Sequence, residues 1–224
     1  MKTVFISRNL STESVFLQKL TSEGFKVYGE SLIHFEAIPF DNLPKTDWLF
    51  FSSKNAVHFF VEGIQNFREL FSIQKFKIAG IGKATSKALK NAFGRCDFTG
   101  DGKPENVAKA FLAVAENQTV LFPGAKNSRR SIQEILKDQI EAVDLEIYNN
   151  QPRTGFELRD FDVLVFTSPM NVVAYFLNKE LFDFQEVIAI GETTGAALTT
   201  HGILNYKIAG NPSEIALVKT ILKN

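Results

Sequence analysis

The sequence repeats itself at an interval of about half its length. Residues 51–57, FSSKNAV, align with residues 166–172, FTSPMNV, and residues 81–85, IGKAT, align with residues 190–194, IGETT. The two offsets are 115 (168 minus 53) and 109 (191 minus 82). A first strand–helix pair also recurs, from Val4 onward and from Val120 onward. Matching motifs in the same order along both halves predict a duplicated structural unit.

Short runs rich in β-branched and aromatic residues alternate with amphipathic segments along the whole chain. This alternation is typical of a parallel sheet covered by helices. Each half offers five strands, enough for one doubly wound sheet of the flavodoxin type. The predicted strands are Val4–Ser7, Phe25–Tyr28, Trp48–Phe51, Lys77–Gly80, Cys96–Thr99, Val120–Phe122, Val143–Tyr148, Val163–Phe166, Val187–Ile190 and Tyr206–Ala209.

Two divisions into domains fit this pattern. A cut near Asn117 gives two consecutive halves. Alternatively, the proline-containing extended stretches 29–45 and 149–160 are crossovers, since they occupy corresponding positions in the two halves. The domain between them then runs from about 40 to 148, and the flanking segments form the other domain. The residues alone permit both divisions.

Composition and charge argue against several classes of function. The 25 Lys and Arg balance 25 Asp and Glu, and zero net charge disfavours a chain-wide grip on nucleic acid. The single Cys96 excludes an intrachain disulfide framework and indicates a reducing compartment. The sequence lacks a signal peptide, and no segment approaches the roughly 18 consecutive apolar residues of a membrane span. We therefore expect a cytoplasmic protein that binds neither nucleic acid nor membranes.

Two turns open helices at the carboxyl ends of predicted strands. They are Ser53-Lys54-Asn55 and Ser168-Pro169-Met170-Asn171. Serine at the N-cap with proline in the first helical position is a standard helix start. Amides at a helix N-terminus also bind anionic groups, and such turns line the ligand crevice of doubly wound sheets. Helix capping and ligand binding both stay open here.

A second pair of turns contains glycine, in Gly82-Lys83-Ala84-Thr85 and Gly191-Glu192-Thr193-Thr194. Glycine allows a sharp turn and a close approach of the backbone to a ligand. Thr85 and Thr194 could cap the helices, donate a hydrogen bond to a carboxylate, or do both. The spacing matches neither a dinucleotide fingerprint nor a P-loop, which argues against a nucleotide cofactor.

Lys126, Arg129 and Arg130 follow the strand Val120–Phe122 at a predicted helix start. Because helix starts favour acidic residues, these cations form either a solvated charged face or a patch for a polyanionic ligand. Arg8 lies in the equivalent loop after the first strand.

Tyr148 ends its strand just before the proposed crossover. It is either a half-buried packing residue or a phenol that donates a proton or hydrogen bond to a ligand. The three histidines are scattered and show no metal-ligand or catalytic-triad spacing.

Together these motifs resemble the uroporphyrinogen-III synthase family over nearly the whole chain. The resemblance rests on the Ser53/Asn55 turn, the loop 81–85, the strand 143–148 with its terminal Tyr148, the turn 166–169, and the loop 190–198 with Gly202. One departure is Lys54-Asn55, where members often have proline followed by a basic or small residue.

The resemblance implies two flavodoxin-like doubly wound domains joined by a two-stranded linker, one of them discontinuous. The expected limits are 1–35 with 152–224, 40–148, and linker crossovers at 36–39 and 149–151. The implied activity is that of a lyase in heme biosynthesis without a cofactor or metal. It closes hydroxymethylbilane into uroporphyrinogen III with loss of water and inversion of the last pyrrole ring through a spiro intermediate.

By the same resemblance, Tyr148 is expected to assist departure of the substrate hydroxyl. A monomer is expected, and the preceding pathway enzyme is considered as a partner. The alternatives are a non-catalytic, two-lobed intracellular binding protein for a small anionic ligand, and a nucleotide or sugar-phosphate transferase, which the missing phosphate loop disfavours. The expected substrate contacts are Ser53, Asn55, Gly82, Thr85, Ser168, Pro169, Gly191, Thr194, Lys126, Arg130 and Arg8.

Overall fold

The computed structural model describes residues 1–65, 72 and 75–223. The strands in this part of the chain are β1 (Thr3–Ile6), β2 (Lys26–Gly29), β3 (Ile33–Ala37), β4 (Trp48–Phe51), β5 (Lys77–Gly80), β6 (Phe98–Thr99), β7 (Thr119–Ala125), β8 (Glu141–Pro152), β9 (Val163–Phe166), β10 (Glu186–Ala189) and β11 (Lys207–Ile208). The helices are α1 (Val15–Ser22), α2 (Lys54–Ile64), α3 (Lys83–Phe93), α4 (Pro104–Ala115), α5 (Ser131–Leu136), α6 (Pro169–Phe176), α7 (Glu192–Thr200) and α8 (Glu214–Leu222).

The chain divides into two compact units, and the first is discontinuous. Unit 1 consists of residues 1–34 and 151–224. Its five strands are parallel and lie in the order β2-β1-β9-β10-β11. Counted in chain order this is 2-1-3-4-5, the flavodoxin-like arrangement.

Unit 2 consists of residues 35–150. Its parallel strands lie in the order β8-β7-β4-β5-β6. Counting from β7 instead of β4 again gives 2-1-3-4-5, so the chain enters the same arrangement at a different strand. The predicted fold class of two flavodoxin-like sheets is therefore confirmed.

The two halves of the sequence exchange strands. β1 and β2 come from the first half of the chain, yet they pair in the sheet that contains β9, β10 and β11. β7 and β8 come from the second half and pair in the sheet that contains β4, β5 and β6. The repeat in the sequence is thus real, but a cut near Asn117 would separate strands that belong to one sheet.

The chain passes between the units within β3 and β8, which are neighbouring strands. Ile38 N–H donates to Ile147 O at 2.9 Å, and Arg153 N–H donates to Leu32 O at 2.9 Å. One partner's number rises as the other's falls, so the strands are antiparallel. This is the two-stranded linker. The expected domain limits of 1–35 with 152–224, and 40–148, stay a prediction.

Each sheet is buried on both faces, which explains its nearly continuous apolar strands. In β4, Phe50 and Phe51 are both fully buried although successive residues point to opposite faces. Phe51 packs with α2 and α3, and Phe50 packs with α4 and the short α5. In unit 1, α6 and α7 cover the face of Phe5, and α1 and α8 cover the face of Ile6.

Local signals fix the helix ends. The side chains of Ser53, Ser168 and Ser213 each accept a hydrogen bond from a backbone amide in the first turn of their helix. Gly94 at the end of α3 and Gly202 after the end of α7 have φ of +75° and +79°, the left-handed conformation that glycine adopts without a steric penalty.

The predicted bounds of three strands need correction. β7 was expected to end at Phe122, but it continues to Ala125 through Pro123 and Gly124. β7 pairs with β4 only as far as Leu121, so the missing N–H of Pro123 leaves no gap in that ladder. Conversely, the terminal strands β6 and β11 are only two residues long. In the described part of the chain, no helix is long and apolar enough to cross a membrane.

Candidate functional site

The predicted site residues follow strands at the carboxyl edges of the two sheets. In unit 2 the strand order reverses between β7 and β4, which are followed by Lys126 and Ser53. In unit 1 it reverses between β1 and β9, followed by Arg8 and Ser168. Ligands of doubly wound sheets bind at such switch points.

A β-bulge sets the direction of Tyr148. Gly124 of β7 pairs with Glu146 of β8, but the next residue, Ala125, pairs with Tyr148. Ile147 is therefore an additional residue in β8, and Tyr148 packs in the same apolar cluster as Ile147 rather than on the opposite face. Bulges re-aim side chains in this way and are common beside active sites.

The ring of Tyr148 is clamped by aromatic neighbours. It stacks on Phe59 with ring centroids 4.8 Å apart and planes inclined by 17°, and Phe35 lies 6.1 Å away. The residue is only 6% exposed. Its backbone carbonyl accepts a hydrogen bond from Lys126 N–H at 2.9 Å. The phenol is thus held in one orientation before any ligand binds.

The phenol oxygen of Tyr148 lies 3.5 Å from Ser53 Oγ. Ser53 Oγ also accepts a hydrogen bond from Ala56 N–H at 3.0 Å, which caps α2. The structure therefore brings together the predicted catalytic residue and one predicted substrate contact, at the N-terminus of a helix. Capping and a site at this turn are compatible, since the same hydroxyl serves both.

Ser168 occupies the equivalent place in unit 1 but has different neighbours. Its Oγ accepts from Asn171 N–H at 3.3 Å and from Asn171 Nδ2 at 2.8 Å. Asn171 Oδ1 in turn accepts from the buried Leu32 N–H at 2.9 Å. This serine is part of a structural link between α6 and the segment that precedes β3.

The glycine turns differ from expectation. Gly82 and Gly191 have φ of −165° and −174°, extended backbone that any residue adopts, so they are not required for a sharp turn. They, and not the threonines, are the N-caps of α3 and α7. Thr85 and Thr194 are 4% and 1% exposed in the first turns, so neither threonine is the N-cap, which was one of the roles left open for them.

The two glycines are nevertheless not equivalent. A Cβ on Gly82 would lie 3.2 Å from Gly102 Cα, so the loop before α4 covers this turn. Asp101 of that loop accepts hydrogen bonds from the side chain of Asn106 in α4 and from the amide of Lys103, which lower the pKa of its carboxyl. A Cβ on Gly191 would meet no atom of the described residues within 4 Å. Only the unit 1 turn is open to a group approaching its glycine.

The predicted cationic patch is largely neutralised by the protein's own carboxylates. Arg8 pairs with Glu214 at 2.8 Å, and Arg130 pairs with Asp144 at 2.8 Å. Helix α5 begins only at Ser131, and Arg130 precedes it with φ of +52°, which is uncommon for a residue other than glycine. Arg130 is thus the N-cap of α5 and lies at the predicted helix start, whereas Lys126 is exposed in the turn after β7.

Two further predicted substrate contacts lie in the first turns of helices. Asn55 is exposed in the first turn of α2, and Pro169 is half-buried at the first position of α6. In the described residues, no three His, Cys, Asp or Glu side chains are close enough together to hold a metal ion.

Sequence reasoning missed the side chains that orient the site. Phe59 was not singled out, although its position three residues after the apolar Ala56 in an amphipathic helix could have suggested a contact with the sheet. Asn171 was treated only as the partner of Ala56 in the repeat. The replacement of a small apolar residue by asparagine at a buried position was the available signal, because a buried amide needs hydrogen-bond partners.

Comparisons with known proteins agree on one family. The family model of uroporphyrinogen-III synthase HemD matches residues 14–219. A curated relative, uroporphyrinogen-III synthase from Chlorobaculum parvum, is 27% identical over 228 residues, which cover 91% of this chain and 91% of the relative.

Solved structures give the same fold. The chain resembles the crystal structure of uroporphyrinogen-III synthetase from Helicobacter pylori with a TM-score of 0.78 and 23% identity, covering 100% of this chain and 99% of the other. A mutant uroporphyrinogen III synthase from the extremely thermophilic bacterium Thermus thermophilus matches with a TM-score of 0.59 and 15% identity, covering 100% of both chains. At these identities the likeness concerns the fold.

Proposed function

The chain belongs to the uroporphyrinogen-III synthase family, and from that premise we propose that it cyclises hydroxymethylbilane to uroporphyrinogen III. The enzyme is then a hydro-lyase. The C–O bond of the hydroxymethyl group breaks, and the hydroxyl leaves as water after it gains a proton. The last pyrrole ring is inverted through a spiro intermediate before the macrocycle closes.

The contact between Tyr148 and Ser53 supports this proposal most directly. A hydroxide ion is a poor leaving group, so a hydrogen bond or proton supplied to the departing oxygen lowers the barrier to C–O cleavage. The Tyr148 phenol is a suitable donor because its ring is fixed by Phe59 and its oxygen lies over the start of α2. The bulge at Ile147 gives it this direction.

The turns at the strand ends suit a substrate with many carboxylates. Four pyrroles, each with acetate and propionate, offer anionic groups that backbone amides at helix N-termini can bind. We propose Ser53, Asn55, Gly82, Thr85 and Lys126 as contacts in unit 2. In unit 1 the proposed contacts are Arg8, Ser168, Pro169, Gly191 and Thr194, with the amides beside the open Gly191 as the best placed.

Of the predicted cationic patch, Lys126 is the residue that we propose attracts the substrate. Because Arg130 is paired with Asp144, it contributes to substrate attraction less than the exposed Lys126 does. Cytoplasmic location, a monomeric state and contact with the enzyme that supplies hydroxymethylbilane stay predictions.

The decisive experiment supplies hydroxymethylbilane, generated in situ, and separates the oxidised products by chromatography. We expect the type III isomer in proportion to the amount of protein added. Spontaneous closure gives only the type I isomer. If the products contain type I alone at every protein concentration, the chain does not have the proposed activity.

A further inference from the structure

We propose that Ser53 is a positioning residue that directs the phenol proton of Tyr148 toward the substrate. This inference rests on the proposed function, and it goes beyond the expectation that Ser53 contacts substrate directly. It assigns to the N-cap hydroxyl of α2 a hydrogen bond to the catalytic residue.

The first step of the argument concerns the Ser53 oxygen. A serine hydroxyl has one proton to donate and two lone pairs that accept. One lone pair accepts Ala56 N–H at 3.0 Å. The proton is not used in that contact, and Tyr148 Oη lies 3.5 Å away as a partner for it.

The second step concerns the direction of the hydrogen bond between the two hydroxyls. The N-terminus of α2 carries the positive end of the helix dipole. A hydroxyl oxygen that accepts from this end becomes a better donor, because hydrogen bonds in a chain polarise one another. The favoured chain therefore runs from Ala56 N–H to Ser53 Oγ–H and then to Tyr148 Oη. The phenol proton is left for the leaving oxygen of the substrate.

The third step is the comparison with the equivalent serine of unit 1. There Ser168 Oγ accepts from both the backbone and the side chain of Asn171. Unit 2 has Ala56 at the position of Asn171, and its methyl group offers no donor. That difference leaves one lone pair of Ser53 Oγ unoccupied by α2, and the hydroxyl proton of Ser53 is not used in the contact with Ala56 N–H.

The separation of 3.5 Å is long for a bond between two hydroxyls, which is usually about 2.5–3.0 Å. Hydrogen bonds of catalytic groups are often long without ligand and shorten when the substrate binds. We therefore expect Ser53 to act on the catalytic step more than on substrate affinity.

The test is a double-mutant cycle in the full chain, with Ser53→Ala, Tyr148→Phe and the double variant, assayed for type III isomer. Ser53→Ala is expected to lower kcat about 10-fold and to change KM little, the effect of losing one orienting hydrogen bond. In the Tyr148→Phe background the same change should lower kcat no further, because the group that Ser53 orients is gone. Ser53→Thr, which keeps the hydroxyl, should retain most of the wild-type kcat.

A matched control separates this role from helix capping. Ser213→Ala removes the equivalent cap of α8, whose side chain accepts from Ala216 N–H, and should lower the melting temperature as Ser53→Ala does without lowering kcat. A loss of kcat for Ser53→Ala that is equally large in the Tyr148→Phe background, or a Ser53→Thr variant as slow as Ser53→Ala, overturns the inference. Absence of type III product from the wild-type protein overturns the proposed function instead.

Discussion

Units 1 and 2 begin equivalent helices, α6 and α2, with a serine, but the two serines have different partners. Ser168 is bound by Asn171, which also holds the backbone of Leu32. Ser53 has Ala56 in place of Asn171 and lies beside Tyr148. The same capping residue thus completes a structural link in one unit and contacts the proposed catalytic side chain in the other.

Both units have an aspartate–threonine hydrogen bond at equivalent positions before a central strand. Asp162, which precedes β9, accepts from Thr3 N–H at 2.7 Å, and Asp47, which precedes β4, accepts from Thr119 N–H at 3.0 Å. Each pair joins a strand of one sequence repeat to a strand of the other. These contacts are retained because the exchange of strands requires a junction in both sheets.

The glycine-turn helices of the two units pack differently on the strands beside them. In unit 2, a Cβ on Gly80 would lie 2.6 Å from Ser86 Oγ, so the strand glycine makes room for a side chain of α3. In unit 1, the equivalent residues are Ala189 and Gly195. A Cβ on Gly195 would lie 2.8 Å from Tyr206 and 3.1 Å from Ile208, so the helix glycine makes room for these two side chains instead.

The largest effect is expected from Tyr148→Phe. The phenyl ring keeps the stacking on Phe59, but the hydroxyl that serves the leaving group is lost, so kcat should fall about 10²-fold with little change in melting temperature. Steady-state formation of type III isomer measures it. Tyr206→Phe is the matched control, because it removes a hydroxyl that contacts Thr199 in unit 1. Equal rates for the two variants would contradict the assignment of the chemistry to unit 2.

Asn171→Ala is expected to affect stability in unit 1. Loss of the amide leaves the buried Leu32 N–H without its acceptor, which costs about 1–3 kcal/mol of unfolding free energy. Chemical denaturation followed by circular dichroism measures this cost. Asn91→Ala, at an exposed position of α3, should not destabilise the protein. Unchanged stability of Asn171→Ala would show that Ser168 and Ser53 are in equivalent environments after all.

The close packing of Ser86 on Gly80 predicts that substitutions at these two positions have non-additive effects on stability. Gly80→Ala should lower the unfolding free energy by about 1–2 kcal/mol, because its Cβ would overlap Ser86 Oγ. Ser86 Oγ is buried and has no hydrogen-bond partner among the described residues, so Ser86→Ala alone should be neutral or stabilising. Gly80→Ala should cost clearly less in the Ser86→Ala background. If Gly80→Ala lowers the unfolding free energy equally in both backgrounds, Ser86 Oγ is not the group that its Cβ would overlap.

The smallest effect concerns pH. Hydrogen bonds from the backbone and side chain of Thr3 lower the pKa of Asp162 below its ordinary value. A carboxyl whose pKa is lower in the folded protein contributes stability above its unfolded pKa and loses it as the pH falls through the folded pKa. Asp162→Asn should therefore reduce the loss of melting temperature between about pH 7 and pH 3, whereas Asp183→Asn, at an exposed site, should not. An unaltered pH dependence would mean that this junction is not electrostatic.

Local patterns predicted most of the fold. Apolar runs identified the strands, serines and glycines marked the helix ends, and the repeat indicated two similar units. Proline and glycine in β7 were misleading because their tolerance depends on whether a neighbouring strand still pairs there. That information is not local to the sequence.

The candidate site was predictable in its turns but not in its geometry. The alternation of Val143, Leu145 and Ile147 places Tyr148 on the opposite face of a regular strand, and only the register against β7 reveals the bulge. Similarly, the pairing of Arg130 with Asp144 depends on strand β8 lying beside β7. Both features arise from contacts between segments that are distant in the chain.

The exchange of strands also fixes an order of events on the ribosome. All of residues 35–150 are synthesised before β9, the strand between β1 and β10, exists. At a synthesis rate of about 5–20 residues per second, roughly 7 to 27 seconds pass between the synthesis of β2 and that of β9. During that interval Phe16 and Leu20, which are fully buried in the finished protein, have only residues of their own segment, such as Val4 and Ile6, to pack against. The rest of their cluster comes from β9, β10 and α8, so the first segment exposes apolar surface until these are synthesised.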